Sequence, residues 1–220
     1  MNVVLPQGFK DECEEIARET REELGLDDEQ RFDPWALAEF LHIDVDSIES
    51  LDQSTSRDVR RLTKFDHDRF SAATAFCKPE CRIVFNPAHP PARQRESVAH
   101  ELGHVLVEHE PTWPPFDEEG KRFSREQEEA EADYMAAALL VPASGLPAVL
   151  ADYGGDIAAT ADHYGVTVDL MRQRVEHCCP PSPIAVEADN ASMLMAEEAP
   201  DQAKADLEPG REVSSSETAI

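Results

Sequence analysis

Two histidines and a glutamate near the middle of the chain are spaced as they would be in a catalytic metal site. In the segment VAHELGHVLVEH, His100 and His104 are four residues apart, and Glu101 directly follows the first histidine. On an α-helix, residues i and i+4 lie on one face, one turn apart, so both imidazoles can reach the same ion. Zinc accepts histidine nitrogens at roughly 2.0–2.1 Å. We therefore expect His100 and His104 to bind Zn²⁺.

Glu101 has the position expected of a general base. It is rotated by about 100° from His100 around the helix axis, which places its carboxylate beside the ion. A bound zinc lowers the pKa of a water molecule from 15.7 to roughly 7, so a carboxylate can take its proton and later pass it to a leaving amine. Glu101 is thus predicted to be the catalytic residue of a hydrolase. The alternative is a pair of surface histidines on an ordinary amphipathic helix.

A catalytic zinc site takes three protein ligands, and the segment EEAEAD offers the third. Glu129 and Asp133 are four residues apart and lie on one face of the predicted helix. Glu129 is the expected ligand, and Asp133 is expected to accept the N–H of a ligand histidine and fix its tautomer. Glu128 and Glu131 remain alternative ligands. His109 is expected to point away from the site.

Capping and helix-breaking residues predict the elements that hold these side chains. Asp33 followed by Pro34 is typical of a helix start, and Gly165 is typical of a helix end. The pattern predicts an α+β fold, with a small, mostly antiparallel sheet packed against the HExxH helix and a glutamate-bearing helix. Helices are predicted at 8–25, 33–43, 91–109, 125–142 and as a C-terminal pair within 156–177, and strands at 43–48, 58–65, 69–76 and 81–86.

The C-terminal helix pair has helix-turn-helix spacing, which raises the possibility of DNA binding. Its second helix would offer Arg172 and Arg174 to a major groove. Asp169 and Glu176 lie on the same helix, and the whole chain has 46 acidic against 20 basic residues, a formal charge of −26. Such a charge repels both phosphate backbones and anionic membranes. Direct nucleic-acid or membrane binding is therefore not expected.

Composition divides the chain near residue 178. Residues 1–178 are predicted to form the folded domain, whereas 179–220 are rich in proline, serine, alanine and acid and are predicted to be a disordered tail. The first residues contain neither a basic segment nor a long apolar one, so no signal peptide is predicted. The five cysteines are then expected to be thiols, and the protein to be cytoplasmic.

The segment RQRESVAHELGHVLVEH, followed by EAEADYMAAALLVP, resembles the ImmA/IrrE metallo-endopeptidases, and the likeness covers about residues 8–177. By position, His100, His104 and Glu129 match the family's metal ligands, and Glu101 matches its catalytic glutamate. Asp133 stands where the family often has asparagine. The resemblance implies a zincin-like α+β fold and a zinc metallopeptidase domain.

The resemblance also implies a function. It indicates a zinc-dependent endopeptidase that cleaves a specific protein, a helix-turn-helix transcriptional repressor, and so derepresses genes, for example in a stress response. The alternative from another class is a non-hydrolytic, zinc-containing regulator that binds a repressor or DNA. The residue that stabilises the oxyanion stays open among His163, Tyr164 and Tyr134.

Overall fold

The computed structural model describes residues 3–50, 70–77, 80–109 and 126–179 of the chain, together with Val59, Arg61 and Thr63. The predicted tail lies outside these residues, apart from Cys179. No helix in the described ranges has the length and apolar character needed to cross a bilayer. The elements form an α+β fold, as predicted: helices α1 (Phe9–Glu23), α2 (Pro34–Phe40), α3 (Pro91–Leu106), α4 (Glu126–Leu140), α5 (Leu146–Asp152), α6 (Ile157–Tyr164) and α7 (Val168–Cys178), and strands β1 (Asp44–Ser47), β2 (Ala72–Cys77) and β3 (Glu80–Phe85).

Side-chain caps begin three of the helices. The Asp33 carboxylate accepts a hydrogen bond from the backbone N–H of Trp35, which confirms the predicted start of α2. Asp156 caps α6 and Thr167 caps α7 in the same manner. Gly165 ends α6 with a φ of 73°, a left-handed conformation that glycine adopts without a steric penalty. The helix pair predicted around this glycine is therefore present.

The three strands form a mixed sheet in the order β1-β3-β2. β2 and β3 are antiparallel, with Thr74 opposite Ile83, whereas β1 is parallel to β3, with Val45 opposite the same residue. The prediction of a further strand at 58–65 is wrong for the residues of this range that the structure describes. Val59, Arg61 and Thr63 have helical backbone, and the Thr63 hydroxyl donates to the Val59 carbonyl 3.0 Å away, one helical turn back.

Close packing of α3 against α4 forms the centre of the core. Leu102 of α3 and Met135 and Leu139 of α4 are completely buried. Strands β2 and β3 contact α3, and α1 contacts α4, so the two central helices lie between the sheet and α1. The closest approach is at Gly103, where a Cβ atom would lie only 2.7 Å from the carbonyl oxygen of Ala132. The sequence shows that α3 contains a glycine, but it does not show that this glycine faces the backbone of α4.

Two buried arginines bind the carbonyl groups at the C-terminal end of α4. Arg21 of α1 donates to the Leu139 carbonyl at 2.7 Å, and Arg174 of α7 donates to the Val141 carbonyl at 2.9 Å. The last carbonyls of a helix have no partners within it and carry partial negative charge, so cations stabilise this end. Arg174 is only 2% exposed, and it cannot read a DNA groove as its helix-turn-helix spacing suggested.

We expect Gly103→Ala to destabilise the protein. Alanine usually stabilises a helix interior by about 1 kcal/mol relative to glycine. Here, however, the added methyl would press on the backbone of α4, and overpacking of this kind costs about 1–3 kcal/mol. The free energy of unfolding should therefore fall, as measured by urea denaturation. An increase in stability would contradict the close approach of the two helices.

Candidate active site

His100 and His104 project from consecutive turns of α3 and face each other edge to face. Their Nε2 atoms are 3.1 Å apart, and their ring centroids are 4.8 Å apart. Both side chains are largely buried, with 21% and 15% of their surface exposed. The helical spacing of the two residues therefore brings the two nitrogens together, as the sequence predicted.

Glu129 of α4 completes a cluster of three possible metal ligands. One carboxylate oxygen lies 3.2 Å from His100 Nε2, and the other lies 3.9 Å from His104 Nε2. All three residues offer ligand atoms within 4.8 Å of one another. Ligands of a tetrahedral ion with bonds of about 2.0 Å are separated by about 3.3 Å, so this donor set fits a divalent metal. Among the described residues, Glu128 and Glu131 are not part of the cluster.

Asp133 lies where it can orient His100. Its Oδ1 atom is 2.8 Å from His100 Nδ1, the ring nitrogen that does not face Glu129. Burial on its own lowers the pKa of His100, but the hydrogen bonds to Asp133 and Glu129 outweigh burial and raise the pKa from 6.5 to about 9. Burial and then the charge of His100 lower the pKa of His104. The two histidines therefore differ in their affinity for a proton.

Glu101 is almost completely buried, with 2% of its surface exposed, and a residue of the sheet binds its carboxylate. The hydroxyl of Thr74 on β2 donates a hydrogen bond of 2.6 Å to Glu101 Oε2. The sequence alone did not identify Thr74 as part of the site. The available signal was a lone hydroxyl within the otherwise apolar strand segment AATAFC. The contact fixes the orientation of the carboxylate next to the two histidines.

His109 lies outside the cluster of possible metal ligands, as expected, but it contacts one of the histidines of that cluster. Its Nδ1 atom lies 2.8 Å from Nδ1 of His104, and its Nε2 atom lies 2.9 Å from a carboxylate oxygen of Glu131. Backbone geometry accounts for the contact between His109 and His104. α3 ends in a turn with Glu108 at a φ of 56°, which folds His109 back against the helix.

A cleft of about 1010 Å³ opens in front of His100 and Glu101. Strand β2 lines it through Ala72 and Ala73, and α7 lines it through residues that include Leu170. Glu101, the candidate catalytic residue, therefore lines the cleft although only 2% of its surface is exposed.

The three residues considered for stabilising an oxyanion are not free to do so. Tyr164 is fully buried and donates to the Asp28 carbonyl, and the His163 ring lies beside the Glu29 carbonyl. Neither residue lines the cleft. Tyr134 does line it, but its hydroxyl donates to the Glu14 carboxylate at 3.1 Å.

The fold and the site together have the features of a metallopeptidase. The family model of the IrrE N-terminal-like domain, which defines a peptidase family, matches residues 57–176. The chain therefore belongs to this family. The family consists of metallopeptidase-type hydrolases. Membership confirms the resemblance that the two sequence segments indicated.

One solved structure with similarity to this chain is a Mycobacterium tuberculosis transcriptional regulator. The two are 13% identical, with a TM-score of 0.45, and the match covers 78% of this chain and 48% of the regulator. The chain therefore spans about half the length of that protein. No curated protein matches the chain.

We expect Glu129→Gln to weaken the binding of a divalent metal, because an amide is a poorer ligand than a carboxylate. Changing a residue that only orients a ligand costs 10–100-fold in affinity, so loss of a ligand should cost at least about 100-fold. Competition with a chelator measures the affinity. The control is Glu128→Gln, which removes the same charge from a neighbouring residue outside the cluster. Equal losses in both variants would contradict the assignment of Glu129.

Metal affinity should also depend on pH. With a pKa of about 9, His100 carries a proton at pH 7, and an incoming ion must displace it. The affinity should rise by about tenfold per pH unit from pH 7 and level off above about pH 9. Asp133→Asn removes a charge that raises this pKa, so levelling should begin at a lower pH. A constant affinity from pH 7 to 9 would contradict the prediction.

Proposed function

We propose that the chain is a zinc-dependent endopeptidase that hydrolyses a peptide bond in one specific protein. The observation that carries this proposal is Glu101, a buried carboxylate next to a cluster of three metal-binding side chains and facing a cleft. Structural zinc sites are closed by four protein ligands, whereas catalytic sites have three and keep one position open. Two histidines and one glutamate are a ligand set used by catalytic zinc.

The residues of this chain supply the proton transfers of the reaction. When bound, zinc would polarise the scissile carbonyl and lower the pKa of the attacking water. Glu101 takes a proton from that water as its oxygen bonds to the carbonyl carbon, and it returns the proton to the amine nitrogen as the C–N bond breaks. The hydrogen bond from Thr74 keeps the carboxylate oriented throughout. Burial of Glu101 also limits competing proton donors from bulk water.

The substrate is bound in an extended conformation along β2. In the described sheet, β2 pairs with β3 on one side and with no strand on the other. A peptide can add to such an edge through main-chain hydrogen bonds. Ala72 and Ala73 line the cleft next to the catalytic carboxylate, and their small side chains leave room for a peptide. A folded substrate must therefore open locally before it can be cut, which favours selective cleavage over general digestion.

We further propose that the substrate is a helix-turn-helix transcriptional repressor. The support for this identity is the resemblance of the chain to the ImmA/IrrE peptidases. Such a repressor acts in the cytoplasm, and we propose that the reaction occurs there. Cleavage would derepress the genes that the repressor controls. Specificity then comes from contacts beyond the main chain, and the α7 wall of the cleft is suited to supply some of them.

The alternative function is a non-hydrolytic, zinc-containing regulator that binds a repressor or DNA. Such a protein has no use for a buried carboxylate beside the metal cluster. DNA binding through α7 is also disfavoured, because Arg174 is buried and Arg172 is paired with Asp169 at 3.2 Å.

Glu101→Gln separates the two functions. The amide cannot take a proton from water, so we expect this variant to retain zinc and substrate binding but to lose cleavage of a helix-turn-helix repressor offered as substrate. Mass spectrometry of the products, with zinc analysis of both proteins, provides the measurement. The control is Glu128→Gln, which should cut at the rate of the unmodified chain.

Two results would overturn parts of the proposal. Normal cleavage by Glu101→Gln would exclude the catalytic role of this glutamate. Digestion of casein at many sites, without preference for the repressor, would leave the peptidase assignment intact and exclude the specific substrate.

A further inference from the structure

The C-terminal end of α3 has a turn that places the side chain of His109 against that of His104. The backbone N–H of Glu108 donates to the Val105 carbonyl at 3.1 Å, and the N–H of His109 donates to the His104 carbonyl at 3.0 Å. These two bonds define a Schellman motif, in which residues His104 and His109 occupy the positions whose side chains normally make an apolar contact. Here the contact is between two imidazoles, 2.8 Å apart at their Nδ1 atoms.

The turn is an unusual one for its sequence. Its left-handed residue is most often glycine, but this chain has Glu108 there, at a φ of 56°. Strained backbone of this kind is found at functional sites more often than elsewhere. The turn places His109 where only 11% of its side chain is exposed, in contact with Glu131, whose side chain is 14% exposed.

The hydrogen bonds continue from His109 into α4. His109 Nε2 lies 2.9 Å from Glu131 Oε2, and the other oxygen of this carboxylate accepts a hydrogen bond of 2.9 Å from the Gln127 side chain. Glu131 is thus held from two sides. A continuous path of side-chain hydrogen bonds runs from His104 through His109 to a carboxylate on the helix that also carries Glu129.

Only one arrangement of protons serves all of these contacts when an ion is bound. Nε2 of His104 faces the cluster, and it must be unprotonated to bind a metal. The ring proton of His104 then resides on Nδ1 and is donated to His109 Nδ1. His109 consequently carries its own proton on Nε2 and donates it to Glu131. Every donor in the path has an acceptor, and each histidine is held in a single neutral tautomer.

We propose that His109 and Glu131 are a positioning pair that fixes the tautomer and ring orientation of the metal ligand His104. The inference rests on the metal site of the proposed function. Under it, each ligand histidine is oriented by a carboxylate of α4: His100 directly by Asp133, and His104 by Glu131 through His109. Neither His109 nor Glu131 lines the cleft.

A matched pair of substitutions at position 109 tests this role. Asparagine and leucine have similar shapes, but only asparagine keeps an acceptor near the position of Nδ1. Leucine restores the apolar contact that this turn usually has. We expect His109→Leu to weaken zinc binding by about 10–100-fold, as loss of such partners does, and His109→Asn to retain most of the affinity. Chelator competition measures the affinity, and the visible absorption spectrum of the Co²⁺-loaded protein reports the geometry at the metal.

The melting temperature of the metal-free protein separates positioning from a purely structural role. Both substitutions remove the hydrogen bond to Glu131, so the melting temperature should fall in both variants, whereas the zinc affinity should fall in His109→Leu alone. Equal zinc affinity and an identical Co²⁺ spectrum in the leucine variant and the unmodified chain would overturn the proposal. If His109→Leu does not fold, Glu131→Gln and Glu131→Met form the corresponding pair. Only the glutamine can accept from His109, so equal affinities in these two variants would also overturn it.

These results are distinguishable from failure of the proposed function. A chain that binds zinc with the expected dependence on position 109, but cleaves no protein, would retain the positioning pair and lose the peptidase assignment. A chain that binds no zinc at all would overturn the positioning pair together with the metal site.

Discussion

The contact between the backbones of α3 and α4 at Gly103 is the constraint on which the rest of the site depends. The two histidines belong to α3, and the two carboxylates that contact them, Glu129 and Asp133, belong to α4, as does Glu131, which contacts His109. Their hydrogen bonds are between 2.8 and 3.2 Å long, so a small increase in helix separation would break all of them together. A side chain at position 103 would impose such an increase, because its Cβ would meet the Ala132 carbonyl.

The surrounding elements keep α4 in place along its own axis. Its first half carries the three carboxylates, and its C-terminal carbonyls are bound by arginines from α1 and α7, the helices that precede and follow the site in sequence. Glu14 of α1 strengthens this arrangement, since it accepts hydrogen bonds from Arg174 at 2.8 Å and from the Ala143 backbone at 3.0 Å. Elements far apart in the chain therefore converge on the end of α4 opposite the metal-binding residues.

Many features of the fold and the site could be predicted from the sequence, because they depend on residues that are close together in the chain. The pairing of His100 with His104 follows from helix periodicity, the start of α2 follows from its capping residue Asp33, and the turn between the two closing helices follows from Gly165. Other features depend on contacts between distant segments. The parallel pairing of β1 with β3 has no local signal, and α5, a seven-residue helix, was not predicted. The approach of Thr74 to Glu101 requires the packing of β2 on α3, which no spacing reveals. The contact of His109 with His104 was not predicted, because the turn that produces it uses a glutamate where glycine is the usual residue.

Under the proposed function, the division of the three ligands between two packed helices would link the protein's abundance to the supply of zinc. The cluster exists only when α3 and α4 are packed together, so an ion bound there favours the folded chain and has little affinity for the unfolded one. At a free concentration 100 times the dissociation constant, this linkage contributes about 2.7 kcal/mol. Domains typically have only about 5–15 kcal/mol of stability in total. A cell short of the metal would therefore hold more unfolded chain within reach of its own proteases, and less of the protein would remain.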